Sequence, residues 1–429
     1  MMVDATIDPK QTPFWWEAAP CEPDTQSAPP ASADVVVIGA GYTGLSCALT
    51  LAQAGRAVTV IDAGPPGFGA SSRSGGMVGH GHRLSYTKLE RRYGAPKAKA
   101  IVGEGTAALA FLIDLMNREG IDARFARVGR FRGCATAADY EDNAREAERL
   151  RELGVPCEVV PRAEQHREIA SDLYNGGVVF PGHGGLHPGL LHTGLLGAAR
   201  RAGANVLGYT PALRIEEASG GRRVVTARGP IAASEIVIAT NGYTQRPAHA
   251  FGRRVLPIPS FVIVTERIGA NRVRAAIPNG RMIVETRPQH IYLRPSPDGE
   301  RLIVGGRAAV HPIALDEAAR WLGRQLAAIL PDLGDVHTTH CWSGNVAFTW
   351  RELPGVGRRE GLWHALGCNG SGVALMPYLG HKLALKIIGV KEGATAFDDL
   401  PLRVMPLSWG APWVRPLMSA WFRLRDRAV

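Results

Sequence analysis

Several features that would mark a membrane, secreted or nucleic-acid-binding protein are scarce in this sequence. The six cysteines (Cys21, Cys47, Cys134, Cys157, Cys341, Cys368) are dispersed with no C-x-x-C spacing, which argues against a disulfide scaffold or a zinc site and suits free thiols in a reducing compartment. No run of about twenty apolar residues occurs, so no transmembrane segment is expected. Met1 to Pro20 holds Asp4, Asp8, Pro9 and Pro13 and has no apolar stretch of signal-peptide type, so a cytoplasmic location is expected. Lysine is rare: only seven of the 49 basic residues, leaving 42 arginines. The net charge of +10 is spread along the chain and forms no stripe or tail, so nucleic acid is not an expected partner. The excess arginine reflects either a proteome-wide bias or attraction of an anionic substrate or surface. No repeat or low-complexity tract is present, and no further ligands join His80 and His82 to make a metal site.

The composition, 45% hydrophobic and 21% charged, is that of a globular protein, and 429 residues suffice for two intimately packed domains. Residues 1–31 form a Pro- and polar-rich lead-in whose Trp15-Trp16 pair could tuck under the body. Asp34–Ile38 then reads as a continuous apolar strand, Gly39–Gly44 as a tight turn, Leu45–Ala54 as a helix and Ala57–Ile61 as a second strand: a βαβ unit with a buried parallel sheet. Helical spacing recurs at Thr106–Glu119, Asp139–Glu152 and Leu190–Ala202, each followed by glycine. From about 255 to 307 the pattern becomes antiparallel strand, with Asp298-Gly299 as a hairpin turn, and a helix follows at Asp316–Leu330. The fold class expected is α/β: a discontinuous Rossmann-like nucleotide domain (32–84, 156–250 and 335–396) with an inserted antiparallel-sheet substrate domain (85–155 and 251–334), and a tail over 397–429.

Gly39-x-Gly41-x-x-Gly44 follows a strand and opens a helix, and Asp62 closes the next strand. In that context the glycines permit the turn, the approach of a pyrophosphate and the close packing of helix on strand, while the acidic residue meets a ribose. Tyr42, Thr43 and Ala63 flank these positions. Just beyond the second strand, Gly67 to Gly76 is a stretch of small residues against which a flat ring could lie. It resembles the GxGASxRxGG segment of D-amino-acid-oxidase-like FAD-dependent oxidoreductases, most of all their γ-glutamylputrescine oxidase branch, with Ser74 where asparagine is usual. Ile236–Tyr243 resembles that family's strand and Ala-Thr-Asn turn beside the FAD. Thr210-Pro211-Ala212 resembles its adenine-side segment, with Ala212 in place of valine. Leu362–Leu366, the loop Gly367–Gly372 and a helix over Val373–Lys386 resemble its closing GxSGHGV motif, with Asn369 and Ser371 replacing serine and histidine. A helix N-terminus there would stabilise negative charge on a reduced flavin.

The resemblance covers almost the whole chain. It implies noncovalent FAD touching Gly39, Gly41, Tyr42, Thr43, Gly44, Asp62, Ala63, Gly69, Ala70, Ser71, Arg73, Ser74, Gly75, Gly76, Met77, Ala212, Thr240, Asn241, Gly344, Asn369, Gly370, Ser371, Gly372 and Val373. It further implies oxidation of an amine to an imine, with hydride transfer to flavin N5 and reoxidation by dioxygen to hydrogen peroxide. A dehydrogenase passing electrons to a quinone or carrier protein is the alternative. A flavin monooxygenase is disfavoured, because no second dinucleotide fingerprint is present. Such chemistry asks for a dry, largely apolar wall, for which Phe261, His290, Tyr292, Trp342 and His80 are the candidates. His80 and His82 would share a face on an extended strand, and His187-Pro188 resembles a structural helix start. Relatives that tether their flavin use a cysteine nearer Gly344 than Cys341. Oxidase relatives place a lysine where this chain has Ile303. Amino-acid-oxidising relatives clamp the substrate carboxylate with an arginine in the stretch matching Ser343–Phe348, and here there is none before Arg351. Small α-amino acids are therefore expected to be poor substrates unless Arg294 or Arg351 reaches in. The segment Trp413–Arg427 mixes aromatic and basic residues and suits a helix folded back on its domain better than one lying on a membrane.

Overall fold

The computed structural model describes residues 9–405 except 25, 219–220, 245–246 and 289, so Trp413–Arg427 lies outside the described residues. The first sheet runs in the order β17 (Gly355–Arg359), β18 (Leu362–Leu366), β11 (Gly229–Ile238), β1 (Ser32–Ile38), β2 (Val58–Ile61) and β8 (Asn205–Leu207). The hairpin β9 (Ala212–Ala218) and β10 (Gly221–Thr226) extends from β11. β1 is parallel to both β11 and β2. Successive residues Val35, Val36 and Val37 are all fully buried, so both faces of this strand are covered, as an unbroken apolar run requires. Helix α1 (Tyr42–Gln53) packs closely on α9 (Gly372–Ile387) because Gly380 lacks a Cβ, which would lie 2.2 Å from the Thr43 carbonyl oxygen. Helix α5 (Pro188–Arg201), capped by the His187 Nδ1 acceptor at 3.1 Å from Leu190 N, packs beside α1.

The second sheet has the order β16 (Thr338–Phe348), β12 (Leu256–Thr265), β15 (Leu302–Gly306), β14 (Tyr292–Pro295), β13 (Met282–Glu285), β4 (Arg130–Gly133), β6 (Gly177–Phe180) and β5 (Glu158–Val160). β13 and β4 are parallel and the other pairs antiparallel. The β14–β15 turn holds Gly299 at φ +72°, with Asp298 accepting from Glu300 N. One face, with Phe131, Ile283, Leu293, Val304, Ile263 and Cys341, is buried against α8 (Leu315–Ile329), whose Leu322 and Leu326 pack into the same core. The other face turns toward the first sheet. β3 (Met77–Val78) and β7 (Gly184–Gly185) form a separate two-stranded antiparallel sheet. Helices α2 (Tyr86–Tyr93), α3 (Ala95–Arg118) and α4 (Ala137–Glu152) precede the second sheet's β5 and β6, and the short α6 (His249–Gly252) and α7 (Ala270–Ala276) flank β12.

Two boundaries drawn from the sequence change. β5, β6 and β16 fall within 156–250 and 335–396 yet belong to the second sheet, because antiparallel strands join a sheet by edge pairing whatever their place in the chain. Conversely α3, within 85–155, buries Ala98, Ile101, Leu112 and Leu115 in the core around the first sheet and packs on α9. By length and composition α3 could cross a membrane, and 39% of its most apolar window is buried within the fold.

The lead-in is tied in along its length, with Glu22 paired to Arg200 and Asp24 to Arg228. Lys10 runs beside β16, with Lys10 N bonded to Thr339 O at 3.0 Å and Cys341 N to Lys10 O at 2.9 Å. The turn at Phe14–Glu17 then inserts a fully buried Trp15 between the two layers.

Candidate active site

Chain direction reverses after β1 at Gly39, held at φ +112°; a Cβ there would lie 2.8 Å from the Ala239 carbonyl oxygen. At Gly44 a Cβ would lie 1.9 Å from Gly39 O, so only glycine lets α1 start this close to the strand. Gly41 caps α1 without a side-chain bond, and the Tyr42 amide donates to Ser71 Oγ at 3.0 Å. Asp62 accepts from Ala40 N (2.8 Å) and Gly64 N (3.1 Å), while burial pushes its pKa up against those bonds. Thr210 N donates to Asp62 O and Tyr209 N to Gly64 O, which lays Tyr209–Thr210 beside Asp62–Gly64 and leads into Ala212.

The loop from Gly69 to Met77 is held at its carbonyls by buried donors. Arg294 Nη1 reaches Gly75 O, Gly76 O and Leu186 O at 3.4, 3.0 and 2.8 Å. Trp342 Nε1 donates to Arg73 O and Trp15 Nε1 to Ser74 O, each at 2.8 Å. Arg73 donates onward to Ser343 O at 3.2 Å, and its Cβ would lie 3.3 Å from one added at Gly344. Tyr292 lies on the bare backbone: a Cβ at Gly75 would come within 2.5 Å of its ring. A third loop, Gly367–Ser371, has positive φ at Gly367, Asn369 and Gly370. Asn369 pins it, accepting from Thr349 N at 3.0 Å and donating to Gly367 O at 2.7 Å. Asn241 Oδ1 accepts from Gly367 N at 2.9 Å, and the Thr240 hydroxyl is bonded to that of Thr244. α9 begins at Gly372 with no side-chain cap from Ser371.

Between these loops and the second sheet lies a cavity of about 550 Å³. Ala70, Arg73–Met77, Gly344, Asn369–Ser371 and Val373 line one side, and His80, His290 and Tyr292 another. The turn Gly39–Gly44 and Asp62 lie outside this lining. The paired segments fit an extended dinucleotide carrying a flat ring, with the phosphates at one glycine turn and the ring on the backbone of the other. A family model of FAD-dependent oxidoreductases, the DAO family, matches residues 34–385.

The chain belongs to this FAD-dependent family. It is 33% identical over 425 residues to a probable oxidoreductase OrdL of Rhizobium meliloti (strain 1021), covering 96% of this chain and 97% of the relative. It is 29% identical to a γ-glutamylputrescine oxidoreductase of Escherichia coli (strain K12), covering 92% and 93%. The fold matches the crystal structure of glycine oxidase from Geobacillus kaustophilus with a TM-score of 0.73 at 24% identity, over 88% of this chain and 99% of that one.

Two of the candidates for the flavoenzyme's reactive wall are misplaced by the sequence reading. Phe261 is buried on the α8 side of β12, because alternation sends Ser260 and Val262 to the cavity and the residue between them away from it. Trp342 shares the cavity-side face but is fully buried behind Arg73 and Trp15, where it anchors the loop. His80 and His82 lie in a loop, not a strand; both line the cavity, with His82 Nε2 held 2.7 Å from Ile101 O. Arg294 serves the loop carbonyls and Arg351 does not line the cavity. Cys341 faces α8, donating to Leu315 O, with its thiol pushed up to about 12 by burial.

The histidines of the wall are neutral at pH 7. Burial, then Arg130, lowers His80 to about 4. His290 keeps an exposed edge, yet the protein around its ring, then Arg307, lowers it to about 3. His183, stacked on Phe180 and 4.3 Å from the His80 ring, is pushed lower still by burial and then Arg130. Burial lifts the Tyr292 phenol to about 12, against a bond to Ser260. Sequence reasoning missed His183, Ser260, Arg130, Arg132 and Arg307 as lining residues. A signal for two of them was present: in Arg130-Phe131-Arg132 a strand puts both arginines on one face and the phenylalanine on the other.

Proposed function

We propose that the protein oxidises the C–N bond of an amine to an imine, the amine giving up a hydride and a proton, with dioxygen reduced to hydrogen peroxide. FAD, when bound, supplies the two-electron acceptor. Gly39, Gly41, Tyr42, Thr43 and Gly44 would hold its pyrophosphate, Asp62 and Ala63 its ribose, and Ala212 its adenine side. Gly69–Met77, Thr240, Asn241, Gly344 and Asn369–Val373 would hold the ring.

The observation that carries this reading is the Tyr292 ring laid on the bare backbone at Gly75, with uncharged groups on the wall beyond it. Tyr292, His80 and His290 are all uncharged at pH 7, and Ser260 and Tyr292 supply polar atoms for orientation. Such a wall accepts an amine in its reactive neutral form, and it demands no strong base. Names among the relatives, a γ-glutamylputrescine oxidoreductase and glycine oxidases, support a substrate of the amine or amino-acid class. The FAD is noncovalent in this reading, since Cys341 points to α8 and no cysteine lines the cavity among the described residues.

A second reading keeps the oxidation and passes the electrons to a quinone or carrier protein. Its support is Ile303, fully buried beside Trp15 and Trp342, together with a lining in which Lys88, on the exposed side of α2, is the one lysine among the described residues. The test is direct. The yellow holoenzyme is titrated anaerobically with amines, and air is then admitted. Bleaching followed by recovery of colour and formation of peroxide is expected. Bleaching without recovery in air favours the carrier acceptor, and a holoenzyme that no amine bleaches overturns the proposal.

A further inference from the structure

Cross-strand register sets out a row along the cavity side of the second sheet. Arg132 is paired with Val284, Val284 with Tyr292, Tyr292 with Gly305 and Gly305 with Val262. Directly paired residues share a face. Strands are about 4.8 Å apart, so Arg132 and Tyr292, two strands apart, are separated by roughly 10 Å from backbone to backbone. Arg130, two residues earlier in β4, shares that face, and both guanidinium groups line the cavity.

These two cations lack an anionic partner. Arg132 donates to Asn143 Oδ1 at 3.4 Å and lies 5.4 Å over the Phe180 ring, both uncharged neighbours. Arg130 Nε is buried with no hydrogen-bond partner. Among the described residues neither forms an ion pair, although Glu146 attracts Arg132 from beyond pairing distance. The two glutamates of the lining are engaged elsewhere: Glu146 accepts from Tyr86 N, Thr87 N and the Thr87 hydroxyl, and Glu285 pairs with Arg287 at 2.8 Å. Burial lowers Arg130 to about 10, still above pH 7, and lowers Arg132 against the pull of Cys134 and Glu146; a guanidinium remains protonated in proteins. Adjacent unpaired cations in a partly dehydrated wall are unfavourable unless an anion enters. His80 Nε2 and His183 Nδ1, beside them and likewise without partners, add neutral hydrogen-bonding groups. The phosphates of FAD belong at the N-terminus of α1, outside this lining.

We propose that Arg130 and Arg132 form a carboxylate subsite at the end of the cavity remote from Gly75, so that the substrate is an extended amine bearing a carboxylate several bonds from the carbon that is oxidised. This rests on the amine reading above and narrows it. Planar guanidinium groups meet a carboxylate with paired hydrogen bonds, whereas an α-amino acid, with both groups on one carbon, cannot reach both ends.

Two measurements on holoenzyme test it. The first is anaerobic flavin reduction by straight-chain ω-amino carboxylates, glycine being the shortest, each against the alkylamine of equal length. The longer ω-amino carboxylates should be favoured at least tenfold in second-order rate constant, with glycine poor. In Arg130→Met and Arg132→Met that preference should fall to within twofold, with Arg132→Lys retaining part of it. The second measurement is perturbation of the oxidised flavin spectrum, with a parallel rise in melting temperature, on adding glutarate or inorganic phosphate. Glutarate should act on wild type and not on Arg130→Met. Equal reduction by both amine series in wild type, or a preference that survives both Met variants, overturns the subsite. Phosphate acting and glutarate failing also overturns it, in favour of a phosphorylated ligand. If no amine reduces the flavin but glutarate still binds through Arg130, the subsite stands and the amine reading falls. The wild-type comparison decides the matter even if a variant fails to fold.

Discussion

Along β14, Tyr292 turns its ring to the cavity while its neighbour Leu293 packs toward α8. The same alternation runs through the sheet. Val262, Gly305, Val284 and Arg132 face the cavity; Ile263, Val304, Ile283 and Phe131 face the helix. The helix side is uniformly apolar and closely filled. The cavity side mixes glycine, tyrosine and arginine and surrounds itself with histidines that cannot easily charge. The difference teaches that one set of backbone hydrogen bonds carries two separate tasks: stability resides in the odd-numbered series of β14 and recognition in the even-numbered one.

Substitutions of adjacent residues can break that comparison. The largest effect is expected from Leu293→Ala, which should lower unfolding free energy by about 2–5 kcal/mol in denaturant titrations. Flavin reduction by amine in the surviving holoenzyme should change little, and a large kinetic defect would show that the faces are not separate. Next is the pH response of the cavity side. The folded pKa of His80 is about 4, below its ordinary 6.5. Above pH 6.5 both states hold it neutral; as pH falls from 6.5 toward 4 only the unfolded chain takes up the proton, so stability is lost across that window. His80→Gln should flatten the decline by up to about 1.4 kcal/mol per pH unit, read from melts at stepped pH. Tyr292→Phe removes the phenol that bonds Ser260 and is proposed to orient the amine, so stability should shift by about 0.5–1.5 kcal/mol while the amine reduction rate falls several-fold. The smallest effect belongs to Cys341→Ala. Acid precipitation should release all flavin into the supernatant from this variant and from wild type alike, and colour left in the wild-type pellet would place the thiol on the wrong face.

How much of this was legible beforehand depends on the range of the cause. The βαβ unit and its glycine turn are local: a strand, a turn and a helix within thirty residues, each glycine answering to a steric contact such as Gly44 against Gly39 O. The antiparallel strands of the insert were readable for the same reason. Which face of them would meet the flavin loop was not, because a period of two leaves the choice of face to tertiary packing; Phe261 was chosen for its aromatic ring and sits one residue out of phase. Trp342 carries no local sign that its indole will bond to Arg73, 269 residues away. β5, β6 and β16 were assigned by chain position, whereas edge pairing decided their sheet. Arg130 and Arg132 went unmarked because β4 was not read as a strand, and without that reading their shared face is invisible.

The threading of residues 10–16 has a consequence for biogenesis. Lys10 finds its partner strand at His340, and Trp15 finds its acceptor at Ser74 and its aromatic neighbours at His187 and Trp342. A chain emerging from the ribosome therefore cannot complete the strand pairing of this segment until β16 has been synthesised, and closure of so long a loop is slow. The Gly69–Met77 loop gains its Trp342 anchor at that same late moment. Capture of FAD should thus follow release of nearly the whole polypeptide, and nascent chains stalled before Thr338 should show no flavin protection against protease where full-length chains do.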